Sequence, residues 1–207
     1  RRVAWAELLR ADVAVRVEAS CKTSRIYHSG AAAQRIETAI REELGAPISA
    51  EASVVIKARL DDDLCTIAVD TSGEPLHKRG HKVAVAKAPM RETMASLFLG
   101  LCGFDGSEPV VDPMCGSGTF VIEAAEIAAG LAPGRSRRFA FEQLATFDAA
   151  DYQKLRDGLV AGPRPAVTFH GSDRDAGAVA MASDNAARAG VADFALFRQQ
   201  TVSELMP

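Results

Sequence analysis

The residues most able to do chemistry lie in one string, Val110-Val111-Asp112-Pro113-Met114-Cys115-Gly116-Ser117-Gly118-Thr119-Phe120. A short apolar run ends in an acid, a tight Gly-x-Gly turn follows, and a helical pattern begins. Glycines let the backbone pass close beneath a ligand, and a helix N-terminus presents unpaired N–H groups. In an open α/β sheet the ligand crevice lies at the carboxyl ends of the strands. Three ligand classes use such a loop. A P-loop requires Gly-Lys-Ser/Thr, and this loop holds no lysine. The dinucleotide fingerprint requires glycine or alanine three residues beyond Gly118, where Val121 stands, so that reading is weakened. The remaining class is a ligand with an adenosine but no phosphate, whose amino acid end carries an ammonium. Asp112 suits that ammonium, directly or through water. The plain alternative is an ordinary strand-to-helix turn.

A second acid, Asp173, closes His170-Gly171-Ser172-Asp173 after the next apolar run. A carboxylate there accepts from both ribose hydroxyls; the alternative is an N-cap for the following helix. Asp175, two residues on, is the better cap. Between His77 and Arg91 stand Lys78, Arg79, Lys82, Lys87 and Arg91 with no acid among them. An unopposed basic run favours phosphate contact, and Lys22 and Arg25 extend it; a solvated face is the alternative. Tyr27 and His28 read as a partly buried pair rather than a base-stacking surface, and Phe139, Phe141 and Phe147 as core filling.

These residues need elements to hold them. Alternating Val13, Val15 and Val17 predict a strand, and Ala33, Ile36, Ile40 and Leu44 a helix over 31–44 that Gly45 ends. Apolar runs at 54–60 and 64–69, joined by Asp61-Asp62-Asp63, predict a hairpin. Residues 74–88 read as a connector. Pro89 suits the first turn of a helix whose stripe is Met90, Met94, Leu97, Phe98 and Leu101. Strands at 109–112, 166–170 and 194–199 alternate with helices at 119–129 and 176–189, and 131–165 is an irregular, partly helical insertion. That alternation predicts a parallel, doubly wound sheet.

The bulk numbers restrict the class. Length, 207 residues, allows one large domain or two small ones. No apolar run approaches the ~20 residues that cross a bilayer, and residues 1–10 lack the apolar core of a signal peptide, so a cytoplasmic location is expected. The four cysteines are irregularly spaced and the histidines form no ligand-spaced group, so no metal site is expected. A net charge of −3 excludes a uniformly basic nucleic-acid binder but not a local patch. The chain opens without methionine and stops soon after a predicted strand, so both ends read as cut.

The loop string resembles the THUMP-domain RNA methyltransferases that methylate guanine N2 in ribosomal or transfer RNA, a family also labelled N6-adenine DNA methylases. Leu76-His77-Lys78-Arg79-Gly80-His81 and Ala88-Pro89-Met90-Arg91-Glu92-Thr93-Met94-Ala95 look like its linker and pre-strand helix. Ser24-Arg25-Ile26-Tyr27-His28-Ser29-Gly30 looks like the later part of a THUMP domain, and Gly171-Ser172-Asp173 like the ribose-acid strand end. The resemblance implies an α/β fold: a Rossmann-like class I methyltransferase domain, incomplete at its C-terminal end, after part of an α+β THUMP domain. It divides the chain into a partial THUMP-like RNA-binding part (1–75), a linker (76–88) and the N-terminal half of the S-adenosylmethionine-binding domain (89–207).

It also implies roles. Asp112, Pro113, Cys115, Gly116 and Gly118 would line the methionine end of S-adenosylmethionine, with Ser117 and Thr119 supplying donors. Asp173 would hold the ribose with Arg174 beside the adenine, and Thr93 would reach the carboxylate. Lys22, Arg25, Lys78, Arg79, Lys82 and Lys87 would meet RNA, ribosomal ahead of transfer. Two departures stand out. Gln200-Thr201 occupies the place of an acid near the adenine amine. The catalytic Asn/Asp-Pro-Pro-Tyr/Phe segment is absent, Gly162-Pro163-Arg164-Pro165 being no substitute, so no catalytic residue is named. The implied reaction is methyl transfer to an exocyclic base amine, guanine N2 first. Methylation of DNA adenine or another amine, and an inactive RNA-binding fragment, remain alternatives.

Overall fold

The computed structural model describes residues 3–83 and 90–205, so Lys87 and Pro89 lie outside the described residues. Two compact units emerge, Arg1–Pro75 with Arg138–Arg156, and Leu76–Arg137 with Asp157–Pro207. Among the described residues no helix is long and apolar enough to cross a membrane.

In the first unit a short helix α1 (Trp5–Leu8) precedes β1 (Val15–Lys22), α2 (Ser29–Leu44), β2 (Val54–Asp61) and β3 (Leu64–Asp70). β1 and β2 pair in parallel, with α2 as the crossover, and β3 returns antiparallel on β2. The hairpin turn is two residues, because Asp61 pairs with Leu64 and both Asp62 and Asp63 take positive φ, 50° and 59°. Gly45 ends α2 in the left-handed conformation, φ 79°. Trp5, Val15, Ile40, Val54 and Ile56 form the core. Part of the insertion joins this unit: Phe141 packs on that core, and its N–H donates to the Thr71 carbonyl at 3.0 Å. Phe139, Phe141, Phe147 and Tyr152 form one aromatic cluster, with ring centroids 5.2–5.9 Å apart. Residues 138–156, assigned to the second part from sequence, therefore pack in the first unit.

In the second unit α3 (Glu92–Leu101), β4 (Val111–Asp112), α4 (Thr119–Ala128), α5 (Ala149–Asp157, nearly all of it in the first unit), β5 (Phe169–Asp173), α6 (Ala176–Ala189) and β6 (Ala195–Gln199) follow in order. The three strands pair in parallel as β4-β5-β6, the half of a doubly wound sheet that strand–helix alternation predicts. Val121, Ile122, Phe169, Ala186 and Val191 form its core. The α3 stripe behaves unexpectedly. Met94, Leu97, Phe98 and Leu101 are exposed, Leu101 by 74%, while Glu92, Ala95 and Leu99 are the residues buried.

Candidate functional site

The site forms where β4 and β5 end. In the parallel register Asp112 sits opposite Gly171, which brings the strand-end acids Asp112 and Asp173 to one edge. The loop between β4 and α4 is laced to them. Met114 N–H donates to Asp112 Oδ1 at 3.0 Å, and Gly116 N–H to Asp173 Oδ2 at 3.0 Å. Cys115 N–H donates to the Ser172 carbonyl at 2.9 Å, and Gly118 N–H to the Cys115 carbonyl at 2.8 Å. Gly118 takes φ +82°, and a Cβ there would fall 2.9 Å from the Phe197 ring, so only glycine fits. A Cβ on Gly171 would meet Phe197 at 2.5 Å and the Cys115 side chain at 3.0 Å, so the loop lies directly on the sheet.

Asp173 serves two neighbours at once, because Asp175 N–H donates to its other oxygen at 3.0 Å. Each carboxylate oxygen retains a lone pair for a ligand. The helix cap is Asp175, whose side chain accepts from Gly177 N–H at 2.7 Å. Burial raises the Asp112 carboxyl above the usual carboxylate range, and the Asp173 charge adds to the rise. Burial pushes the Cys115 thiol up to about 12, so at neutral pH it is a protonated packing group rather than a nucleophile. A crevice of about 570 Å³ opens here, lined by Pro113, Met114, Asp173, Arg174 and residues 200–203. That size suits a small-molecule ligand. Among the described residues no cluster of histidine, cysteine and acidic groups could hold a metal ion.

Of the expected ligand groups only Pro113, Asp173 and Arg174 line this crevice; Asp112, Cys115, Gly116 and Gly118 lie behind it, and Ser117, Thr119 and Thr93 sit elsewhere. Ser117 and Thr119 are buried and line a separate cavity of about 10 Å³ with His81, Lys82, Glu92 and Asn185. There Thr119 Oγ1 accepts from Lys82 Nζ at 2.8 Å. Thr93 is exposed in the first turn of α3.

The basic run divides in the same way. Arg79 is buried in a bidentate pair with Glu123, both bonds 3.1 Å. Lys82 donates to Thr119 and to the Met90 carbonyl at 3.1 Å, and lies 3.6 Å from Glu92. Both side chains are largely buried and already paired, which leaves little of either to meet a phosphate. The reason is a set of buried acids: Glu123 of α4, a helix buried nearly all round, draws in Arg79, and Glu92 of α3 draws in Lys82. Lys78 and Lys22 are exposed; Arg25 is exposed but pairs with Asp63 at 3.0 Å. The Tyr27–His28 expectation is corrected as well. Tyr27 is 85% exposed, while the His28 ring caps α2 by accepting from Ala31 N–H at 3.0 Å.

Residues beneath the loop went unnoticed from sequence. Asn185 is fully buried, its Nδ2 donating to the Ser117 carbonyl at 3.1 Å. Its signal was present: Ala178, Ala182, Asn185, Ala186 and Ala189 form the buried stripe of α6, and one polar residue interrupts it. His81 is held down to about 4 by burial and then by Arg135 and the neighbouring cations, and Glu126 is pushed up to about 7 by burial.

Comparisons with known proteins converge on one class. Residues 79–207 match the family described as RMKL-like, methyltransferase domain. A ribosomal RNA large subunit methyltransferase K/L of Vibrio campbellii is 40% identical over 150 residues, 70% of this chain and 21% of that protein. Its counterpart in Aliivibrio salmonicida is 34% identical over 93% of this chain and 29% of its own length. The chain thus spans under a third of these relatives. Among solved structures, a predicted N6-adenine-specific DNA methylase from Listeria monocytogenes is 31% identical, with a TM-score of 0.81 over 98% of this chain and 56% of its own. A methyltransferase complexed with SAH is 28% identical, with a TM-score of 0.83 over 96% of this chain and 55% of its own.

Proposed function

This chain belongs to the RMKL-like methyltransferase domain family, and from that premise we propose that its crevice holds S-adenosylmethionine for methylation of an RNA base amine. The observation that carries the reading is the lacing of the glycine loop to the strand-end acids Asp112 and Asp173, beside a crevice of about 570 Å³ that Asp173, Pro113 and Met114 line. Asp112 faces the ammonium of the amino acid end. Asp173 accepts from the ribose hydroxyls, while its bonds to Gly116 and Asp175 keep it in place. Arg174, Gln200 and Thr201 border the adenine end. The cofactor supplies an electrophilic methyl group on its sulfonium. Pro113, Cys115, Gly116 and Gly118 shape the loop that holds its amino acid end.

The substrate follows from the relatives whose names specify ribosomal RNA of the large subunit. We assign the methyl acceptor as guanine N2, a poor nucleophile while its lone pair is conjugated with the ring, so that orientation of amine and methyl carries the rate. The residues that accept its hydrogens belong to the Asn/Asp-Pro-Pro-Tyr/Phe segment, which this sequence does not contain. Residues 1–75 are taken as the THUMP-like RNA-binding part, with exposed Lys22 and Lys78 as phosphate contacts and the cytoplasm as the place of action. The test is transfer of labelled methyl from S-adenosylmethionine to total RNA by the full-length protein, followed by mapping of the labelled nucleotide. Label on guanine N2 of large-subunit RNA is expected. Label on DNA adenine and not on RNA, in keeping with the description of the Listeria monocytogenes structure, would overturn the substrate assignment.

A further inference from the structure

A chain of hydrogen bonds runs from the 76–83 segment to the glycine loop through α6. Arg188 Nε donates to the His81 carbonyl at 2.8 Å, and its Nη2 donates to Asn185 Oδ1 at 2.6 Å. Asn185 Nδ2 then donates to the Ser117 carbonyl at 3.1 Å. Every link has one permitted direction. A guanidinium only donates, so the amide atom facing Arg188 must be Oδ1. A backbone carbonyl only accepts, so the atom facing Ser117 must be Nδ2. The Asn185 amide therefore cannot flip without breaking two bonds at a fully buried position. The Ser117 carbonyl precedes Gly118, the residue at φ +82°, so holding that carbonyl toward α6 fixes the peptide plane on which the left-handed turn depends.

We propose that Asn185 is a positioning residue of the cofactor loop, itself oriented by Arg188 from the His81 carbonyl. The proposal rests on the reading of this loop as the S-adenosylmethionine site. Asn185 touches no ligand; it acts by holding the 117–118 peptide in the conformation that lets Gly116 N–H reach Asp173. The 76–83 segment is thereby part of the binding apparatus and not merely a tether.

The test uses SAH binding by this chain. Asn185→Leu would strand the Ser117 carbonyl and the Arg188 guanidinium together, so the informative variant is Asn185→Asp. It keeps the volume and an acceptor for Arg188 while removing the donor to Ser117. Val191→Ala, in the same core but outside the hydrogen-bond chain, is the control for general destabilisation. Calorimetry well below the melting midpoints of both variants, where each is folded, is expected to give about tenfold weaker SAH binding for Asn185→Asp. Val191→Ala should melt earlier and, where folded, bind SAH normally. Peptide-level mass spectrometry should also find Cys115, buried under the loop, alkylated faster in Asn185→Asp than in wild type. Unchanged SAH affinity in Asn185→Asp, or a loss that only tracks its melting midpoint as in Val191→Ala, overturns the inference. Absence of SAH binding by the wild type would instead overturn the cofactor reading, and the inference with it.

Discussion

Asp112 shows what one carboxyl gives up to serve a ligand. Its folded pKa is raised by burial, so folding favours the neutral acid relative to the unfolded chain. The folded state then holds a proton at pH values where the unfolded chain has lost it. Stability falls as pH climbs from the ordinary carboxylate range through the raised value. A ligand ammonium beside Asp112 favours the ionised form, so affinity should rise across the same window. Asp112→Asn is therefore expected to flatten that pH dependence of melting, to stabilise the unligated protein at neutral pH, and to weaken SAH binding. Thermal melts from pH 4 to pH 8 beside calorimetry check it. A variant that melts earlier than wild type at neutral pH would contradict the account.

At the scale of elements, α4 explains why the basic run does not form a surface patch. The helix carries Val121, Ile122, Ala124 and Ala125 inward, and Glu123 and Glu126 are buried as well. An acid in that setting requires a partner, and Arg79 provides one through two hydrogen bonds. Removing one member of a buried pair leaves a stranded charge, which costs about 3–5 kcal/mol. Arg79→Ala should lower the unfolding free energy by that order in urea titration, and pairing it with Glu123→Leu should recover most of the loss. A loss below about 1 kcal/mol for the single variant would place the pair in a wetter setting than its geometry indicates. Sequence spacing revealed α4 and the loop, because periodicity and the glycine turn are local signals. It misjudged Arg79 and Lys82, since a run of like charges reads as solvated until the buried groups it meets are known: Glu123, 44 positions from Arg79, and Thr119 and Glu92 around Lys82. Met94, Leu97 and Leu101 mislead for a related reason: a stripe shows that a helix has an apolar face, not which neighbour that face meets.

For the molecule as a whole, strand–helix alternation sufficed to predict the parallel sheet and the strand-end acids, while the order of packing was not legible. Residues 138–156 follow the second unit's first βα pair in sequence yet fold with the first unit, since Phe139, Phe141 and Phe147 are fixed by an aromatic cluster rather than by any local pattern. Asn185 escaped notice because its role depends on a carbonyl 68 positions away. The central claim is that the crevice at Asp173, beside the Asp112 strand end, is shaped for an adenosyl amino acid and not for a nucleotide phosphate. Calorimetric titration of this chain with SAH and with ADP tests it most directly. Saturable 1:1 binding of SAH, lost in Asp173→Ala, with no comparable binding of ADP, is the predicted result. Tight ADP binding, or SAH affinity untouched by Asp173→Ala, would contradict it.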